Sequence, residues 1–350
     1  MYHYLIVGFG VAGFSFMQQL EENQRSFLVL DNHSQRSSRI AGGMYNPIIL
    51  KRFTPAWKAA EMLPYSLLQF RKAELKYKSK FIHEIDIYRK LASIEEQNNW
   101  SVAMDKPVMR DFMHPVTYEK IDGVEAPYGF GVLKGTGIVN VGKVLDEAIK
   151  ELQKKDLFLR ESFDYDQLIL HKDHIEYKGI KAKYLVFAEG YGLTNNPFFN
   201  YLPLKGTKGE MLMIRTEAKI PYIVKSAAFL APDVTTPGQY YVGATYHWTD
   251  KSNEPTREAR QQLEERLSKL LNKKYEVVLQ KAGIRPTVQD RRPLAGKHPV
   301  YSQLAVLNGM GTRGVILAPS VAKELFEHLE LSIPLSPEIS IERFPIKNPV

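Results

Sequence analysis

The run Tyr4-Leu5-Ile6-Val7-Gly8-Phe9-Gly10-Val11-Ala12-Gly13 sets a short apolar stretch against three glycines, and Phe14, Met17 and Leu20 follow at helical spacing. A second apolar run, Phe27 to Leu30, ends in Asp31. Strand, glycine turn, helix, strand and acid in that order form the fingerprint of a dinucleotide-binding unit. Each glycine has its own physical task. Gly8 lets the chain turn sharply out of the strand, Gly10 keeps side chains clear of a pyrophosphate, and Gly13 lets the helix lie close on the sheet. The helix start, with Phe9, Val11 and Ala12, presents unpaired N–H groups and partial positive charge to phosphate oxygens. Asp31, with Asn32 beside it, offers acceptors to ribose hydroxyls, and its charge disfavours a 2′-phosphate. A purely structural glycine turn would leave the acid unexplained. The motif alone does not separate FAD from NAD.

A second glycine cluster, Gly309-Met310-Gly311-Thr312-Arg313-Gly314, follows the apolar run Leu304 to Leu307 and precedes an expected helix from Ala318 to Glu330. No apolar strand ending in an acid comes after it, so it is not a second nucleotide unit. Close backbone approach and a helix start beside a flat ligand fit better, with Gly311, Thr312, Arg313, Gly314, Val315 and Ile316 at the flavin. A helix N-terminus there stabilises the negative charge of a reduced flavin. One complete dinucleotide unit leaves no separate NAD(P)H site of that design, which favours flavin reduction by substrate.

Length and composition bound the rest. With 350 residues, 44% hydrophobic and 25% charged, the chain suits one or two globular domains. No segment approaches the roughly 18 apolar residues of a membrane span. Met1 to Gly8 runs directly into a strand with no signal-peptide pattern. Zero cysteines exclude disulfides, thiolate metal sites and a cysteinyl–flavin bond. A cytoplasmic protein with noncovalent flavin is therefore expected. The net charge of +8 fits either lysines spread over solvated helices or a polyanionic partner. His3, His114, His247 and His298 are not spaced for a metal, and none is expected; nor is there a GxSxG elbow. Further helices are expected over Lys143 to Lys154 and Glu258 to Leu271, and strands over Lys183 to Phe187 and Gln239 to Thr245. Alternation of strands and helices at both ends points to an α/β cofactor domain with a second domain inserted. Its boundaries are 1–85, 136–203 and 281–350 for the cofactor, and 86–135 with 204–280 for the substrate.

The N-terminal fingerprint, Ser37 to Met44, Ala188-Glu189-Gly190, Gly243-Ala244-Thr245, Gly283-Ile284-Arg285-Pro286 and Asn308 to Pro319 together resemble the D-amino-acid-oxidase-like superfamily of FAD enzymes. Glycine oxidase and sarcosine oxidase belong to it. The resemblance spans most of the chain. It implies a doubly wound, Rossmann-like FAD domain, and an α+β substrate domain whose antiparallel sheet covers the flavin. The implied reaction is oxidation of an amine by hydride transfer to flavin N5, with O2 as acceptor. Asn308 to Leu325 and Ile333 to Phe344 are also similar to the oxidase domain of the bifunctional bacterial enzymes of tRNA wobble-uridine methylaminomethyl biosynthesis. That likeness implies removal of a carboxymethyl group from a modified uridine.

Residue roles follow from the resemblance. Arg285 matches an arginine that binds the substrate carboxylate, a job for which a flat bidentate guanidinium is suited; the alternative is an ion pair with Asp290. Tyr246 and Phe229 fall where relatives place aromatics near the substrate, or else they are packing residues. Arg313 would sit at the flavin edge, or in a solvent-facing turn. Ser38, Ala41, Gly42, Gly43 and Met44 match the segment along the pyrophosphate and flavin. Ala188 and Gly190 belong to the nucleotide site, and Phe163 aligns with a residue whose backbone reads the adenine, or is simply buried. Three functions stand open. The first is oxidation of a small carboxylated amine, the second a tRNA-modifying oxidase, and the third a non-catalytic flavoprotein.

Overall fold

A computed structural model describes residues 1–345; residues 346–350, the end of the last expected cofactor segment, lie outside it. The strand Tyr2–Val7 lies between two parallel neighbours, Phe27–Leu30 and Ile180–Phe187. Phe158–Leu159 and Leu304–Asn308 extend the parallel sheet on either side. Leu294–Lys297 and the meander Leu168–Leu170, Ile175–Tyr177 join it antiparallel. Every residue of Phe27–Leu30 is buried, as a continuous apolar strand covered on both faces requires. One face packs on the helices Val11–Glu22, Ala59–Tyr77, Val141–Lys154 and Gly314–Leu331 through Phe14, Phe70, Leu145 and Val321. The other is covered by the meander and turn residues Ile175, Tyr177, Phe199 and Leu202 rather than by long helices.

A second, largely antiparallel sheet has the order Tyr275–Arg285, Thr207–Thr216, Gln239–Gly243, Phe229–Pro232, Ile223–Lys225, Ile87–Lys90, Phe130–Leu133 and Met113–Thr117. Side chains alternate between its faces. Leu212, Val224, Leu230 and Val242 pack beneath Leu263 and Leu267 of the helix Arg257–Ser268. Met211, Ile223 and Phe229 point the other way. There Gly42 faces them at ordinary contact distance, a Cβ on it standing 3.5 Å from Met211 Cε. The mixed α/β class and the antiparallel second sheet agree with expectation.

The helix Val11–Glu22 carries Phe14, Met17 and Leu20 as anticipated, and the strand Phe27–Leu30 has the anticipated bounds. The last helix does not: it starts at Gly314, ahead of Ala318, and runs through Pro319. Proline withholds one N–H from the early helix, but Val315, Ile316 and Leu317 are all buried and hold that turn in place. The strand Gln239–Gly243 stops short of Thr245, which instead bonds to Glu210 through both its backbone and its hydroxyl.

Beyond that strand, the loop 246–256 is fastened from within. Lys208 is fully buried, and its ammonium donates to Asp250 Oδ2, to Ser252 Oγ at 3.1 Å and to the Glu254 carbonyl. Glu210 Oε1 lies 3.6 Å from the same ammonium, and its carboxylate accepts from the Thr256 N–H at 2.8 Å and from Gln280 Nε2 at 2.8 Å. The Lys208 hydrogen bond holds the Asp250 carboxyl well below the ordinary range.

Two substitutions test these packing claims. A Cβ on Gly13 would lie 2.1 Å from the Gly8 carbonyl oxygen, so Gly13→Ala should lower unfolding stability by about 1–3 kcal/mol; an unchanged urea midpoint would refute the close approach. Lys208→Met leaves Glu210 buried without its cation and should cost about 3–5 kcal/mol, measured in the same way. Because the folded Asp250 pKa is depressed, its contribution is present above the ordinary carboxylate range and fades as pH falls. The gap between wild type and Lys208→Met should therefore narrow in acid.

Candidate active site

Two helix starts meet at the C-terminal edge of the parallel sheet. Gly314, opening the last helix, sits so close to Val11, opening the first, that a Cβ on it would be 2.8 Å from Val11 Cγ1. Neither N-cap residue, Gly10 or Arg313, caps its helix with a side chain. Gly8 has φ +95° and packs on the Ala188 carbonyl, where a Cβ would come within 2.5 Å. The Val11 N–H donates to Ser38 Oγ at 3.0 Å. That bond brings the segment Ser37 to Met44 over the first helix start, with Ala41 exposed at the end of a short helical turn. Gly43, at φ +64°, lies against the Val139 carbonyl, and Met44 pairs with Ile138. Gly311 has φ +57° and nothing within 4 Å of its Cβ direction, so the second glycine cluster borders open space. Thr312 is exposed there, whereas Val315 and Ile316 are buried in the helix's first turn.

Asp31 Oδ1 accepts from the Phe9 N–H at 3.2 Å, and Oδ2 accepts from the His33 N–H at 3.2 Å. The acid is thus held at the glycine turn. Asn32 Nδ2 donates to Ser162 Oγ at 2.9 Å, which brings the backbone before Phe163 to the same end of the site. The Phe163 ring stacks on Tyr177 at 4.4 Å and meets Phe187 edge-on. Its side chain is therefore a packing group, in a loop rather than a strand. Gly190 accepts from Asn308 Nδ2 at 2.9 Å, tying this region to the strand before the second glycine cluster. A groove of about 630 Å³ lined by Arg36, Arg39, Arg160 and Lys281, with Asp146 and Glu254, opens beside His33.

Arg285 is the most informative side chain. Its guanidinium lies on Gly209, where a Cβ would be 2.0 Å from Nη2, so a side chain there would push it from this seat. The Tyr246 ring covers it at 4.5 Å, and Nη1 donates to the Thr245 carbonyl at 3.3 Å. The alternative, an ion pair with Asp290, is not formed: Asp290 accepts from Arg343 Nε at 2.9 Å. Burial lowers the Arg285 pKa. Arg313 is likewise pushed down by burial, with Arg291 and Arg292 adding to the effect and Tyr246 opposing it. Among the described residues no carboxylate pairs with either Arg285 or Arg313. Two half-buried cations without counterions flank Tyr246, which is itself 60% exposed at the mouth. Phe229 is buried, and its ring edge would be 2.8 Å from a Cβ on Gly243 and 3.8 Å from one on Gly42.

Three contributors escaped the sequence reading. Met211 shares the wall with Phe229, Gly209 makes room for Arg285, and Lys225 stands 5.7 Å from the Phe229 ring centre. For Gly209 and Met211 the only sequence signal was the alternation along Thr207 to Thr216, and Lys225 had none. A histidine group not considered earlier, His171 and His174 with Glu176, brings its ligand atoms within 4.8 Å of one another. Its two rings stack nearly parallel at 4.3 Å and 9°. An ion would have to lie in both ring planes at once, so this geometry does not suit a metal.

Similarity to known proteins agrees with this arrangement. Residues 3–328 match the family described as FAD dependent oxidoreductase (DAO). The chain is 21% identical, over 93% of its length, to the tRNA 5-methylaminomethyl-2-thiouridine biosynthesis bifunctional protein of Marinobacter nauticus, but spans only 55% of that protein. Glycine oxidase from Bacillus cereus superposes with a TM-score of 0.78 at 18% identity, covering 95% of this chain and 96% of that one. Iminodiacetate oxidase from Chelativorans sp. BNC1 also gives 0.78, at 14% identity and 98% coverage of both chains. At such identities these structures speak for the fold. The matched family spans nearly the whole chain, and this protein belongs to the DAO family of FAD-dependent oxidoreductases.

Proposed function

We propose that this chain oxidises a carboxylate-bearing amine of the amino-acid or N-substituted glycine type. The observation that carries the reading is Arg285, a guanidinium seated on Gly209, roofed by Tyr246 and left without an acidic partner. Such a group is a ready carboxylate fork.

The residues suit FAD on their own geometry. Two helix starts touch, neither capped by its own N-cap residue, glycines stand where side chains would collide, and Gly311 faces open space. Gly8 to Gly13, with Ser38, would hold the pyrophosphate. Asp31, Asn32 and the Phe163 backbone would hold the adenosine, with Ala188 and Gly190 beside the ribose. Ala41 to Met44 and Gly311 to Ile316 would hold the isoalloxazine ring. Segments 1–85, 136–203 and 281–350 would thus serve the cofactor, and 86–135 with 204–280 the substrate, save that the strand Tyr275–Arg285 carries Arg285 to the substrate side. When bound, FAD supplies a two-electron oxidant that takes hydride at N5.

The chain's own work is placement and charge. Arg285 fixes the carboxylate and thereby the orientation of the adjacent C–H bond. Phe229 and Met211 exclude water from the reacting face. Arg285 and Arg313 disfavour a nearby ammonium, so the bound amine loses its proton more easily and presents a free lone pair. Arg313 at the helix start also favours negative charge on its ligand. O2 as acceptor and a cytoplasmic setting complete the reading; no helix among the described residues is long and apolar enough to cross a membrane.

A second reading, oxidation of a tRNA side chain, is supported by the Marinobacter relative and by the basic groove around Arg36, Arg39, Arg160 and Lys281. It would show as tRNA binding that weakens steeply with salt, and salt-independent binding would count against it.

Anaerobic addition of glycine, sarcosine, D-alanine or N-carboxymethyl amines should bleach the flavin band near ~450 nm. If none of them does, the small-amine reading is wrong and a non-catalytic flavoprotein gains ground. Arg285→Lys should raise KM roughly ten- to a hundredfold by losing the fork; an unchanged KM would remove Arg285 from carboxylate binding.

A further inference from the structure

Across the second sheet, Met211 stands opposite Gly243, Gly243 opposite Phe229, Phe229 opposite Lys225, and Lys225 opposite Arg89. Directly opposed residues project from the same face. Lys225 therefore shares the face on which Met211 and Phe229 form the substrate wall. It is half-buried, its ammonium 5.7 Å from the Phe229 ring centre. Among the described residues no carboxylate pairs with it. Arg89 is already engaged by Glu96 at 2.6 Å, and Arg266 reaches only the Ala244 carbonyl at 3.4 Å. Burial, with Arg89 and Arg266, pushes Lys225 down to about 8. A cation in such surroundings gains most from an anion brought by a ligand.

We propose that Lys225 is a specificity-determining residue, binding a second anionic group on the substrate at the end of the cavity opposite Arg285. The inference rests on the amine-oxidation reading and narrows it to amines that carry two separated anions. Three strand spacings separate Met211 from Lys225, roughly 14 Å at ~4.8 Å each. The Arg285 guanidinium lies on Gly209, two residues from Met211, and the Lys225 ammonium lies towards the Phe229 ring. The two cationic heads are then on the order of 10 Å apart, too far for the carboxylates of iminodiacetate to bridge. The distal group is a carboxylate or a phosphate ester on an extended tail.

The test uses flavin-loaded full-length protein and N-carboxymethyl amines with a six-carbon tail ending in methyl, carboxylate or phosphonate. Wild type should favour one charged tail over the methyl tail by ten- to a hundredfold in KM, with kcat little changed; which charged tail is preferred identifies the source of the anion. Lys225→Met keeps the shape and should abolish the preference, while Lys225→Arg should restore much of it. Absence of preference in wild type, or its survival in Lys225→Met, overturns the assignment. Should no amine reduce the flavin, the broader reading fails while this one stays testable. Octanedioate should then perturb the flavin spectrum of wild type at least tenfold more tightly than that of Lys225→Met, and equal affinity sinks the proposal.

Discussion

The contact between two helix beginnings, Val11 of the first and Gly314 of the last, governs much of this molecule. Each beginning concentrates partial positive charge and unbonded N–H groups. Bringing two together is unfavourable by itself, with only the Ser38 hydroxyl accepting from the Val11 N–H, and an anionic ligand between them reverses that sign. The approach is possible only because Gly8, Gly13 and Gly314 carry no Cβ, each at a point where one would strike backbone or Val11. Residues some 300 positions apart in sequence thus depend on each other.

The molecule treats its inner cations in two ways. Lys208 is surrounded by Asp250, Ser252, Glu210 and a backbone carbonyl, so its charge is spent within the protein. Among the described residues, Arg285, Arg313 and Lys225 have no such acids. The first kind holds a loop, and the second leaves attraction for something from outside. The difference separates a structural lysine from candidate binding groups more clearly than burial does.

How much of this was legible in sequence follows the range of each constraint. The glycine turn and Asp31 were readable because strand, turn and helix are neighbours in the chain. Arg285 was reachable only through resemblance, since nothing local marks it; Gly209, which makes its seat, lies on another strand. The alternative of an ion pair with Asp290 could not be dismissed from sequence, because Arg343, more than fifty residues away, is what takes that acid. Pro319 concealed the true start of the last helix, whose burial against the sheet outweighs one missing hydrogen bond. Lys225 and Met211 were invisible for a different reason. Period-two alternation tells which residues of a strand share a face, but not which strands adjoin, and their row is assembled from separate segments.

The internal fastening of the loop 246–256 has a consequence for traffic. Tyr246 and Trp248 stand exposed at the mouth, yet the chain that carries them is moored by Lys208 and Glu210 below and by Asn253 to the Ser34 carbonyl alongside. A doorway built this way does not swing. On the proposed reading, a substrate entering past Tyr246 is selected by its girth and charge, and a product leaves without waiting for this loop to move.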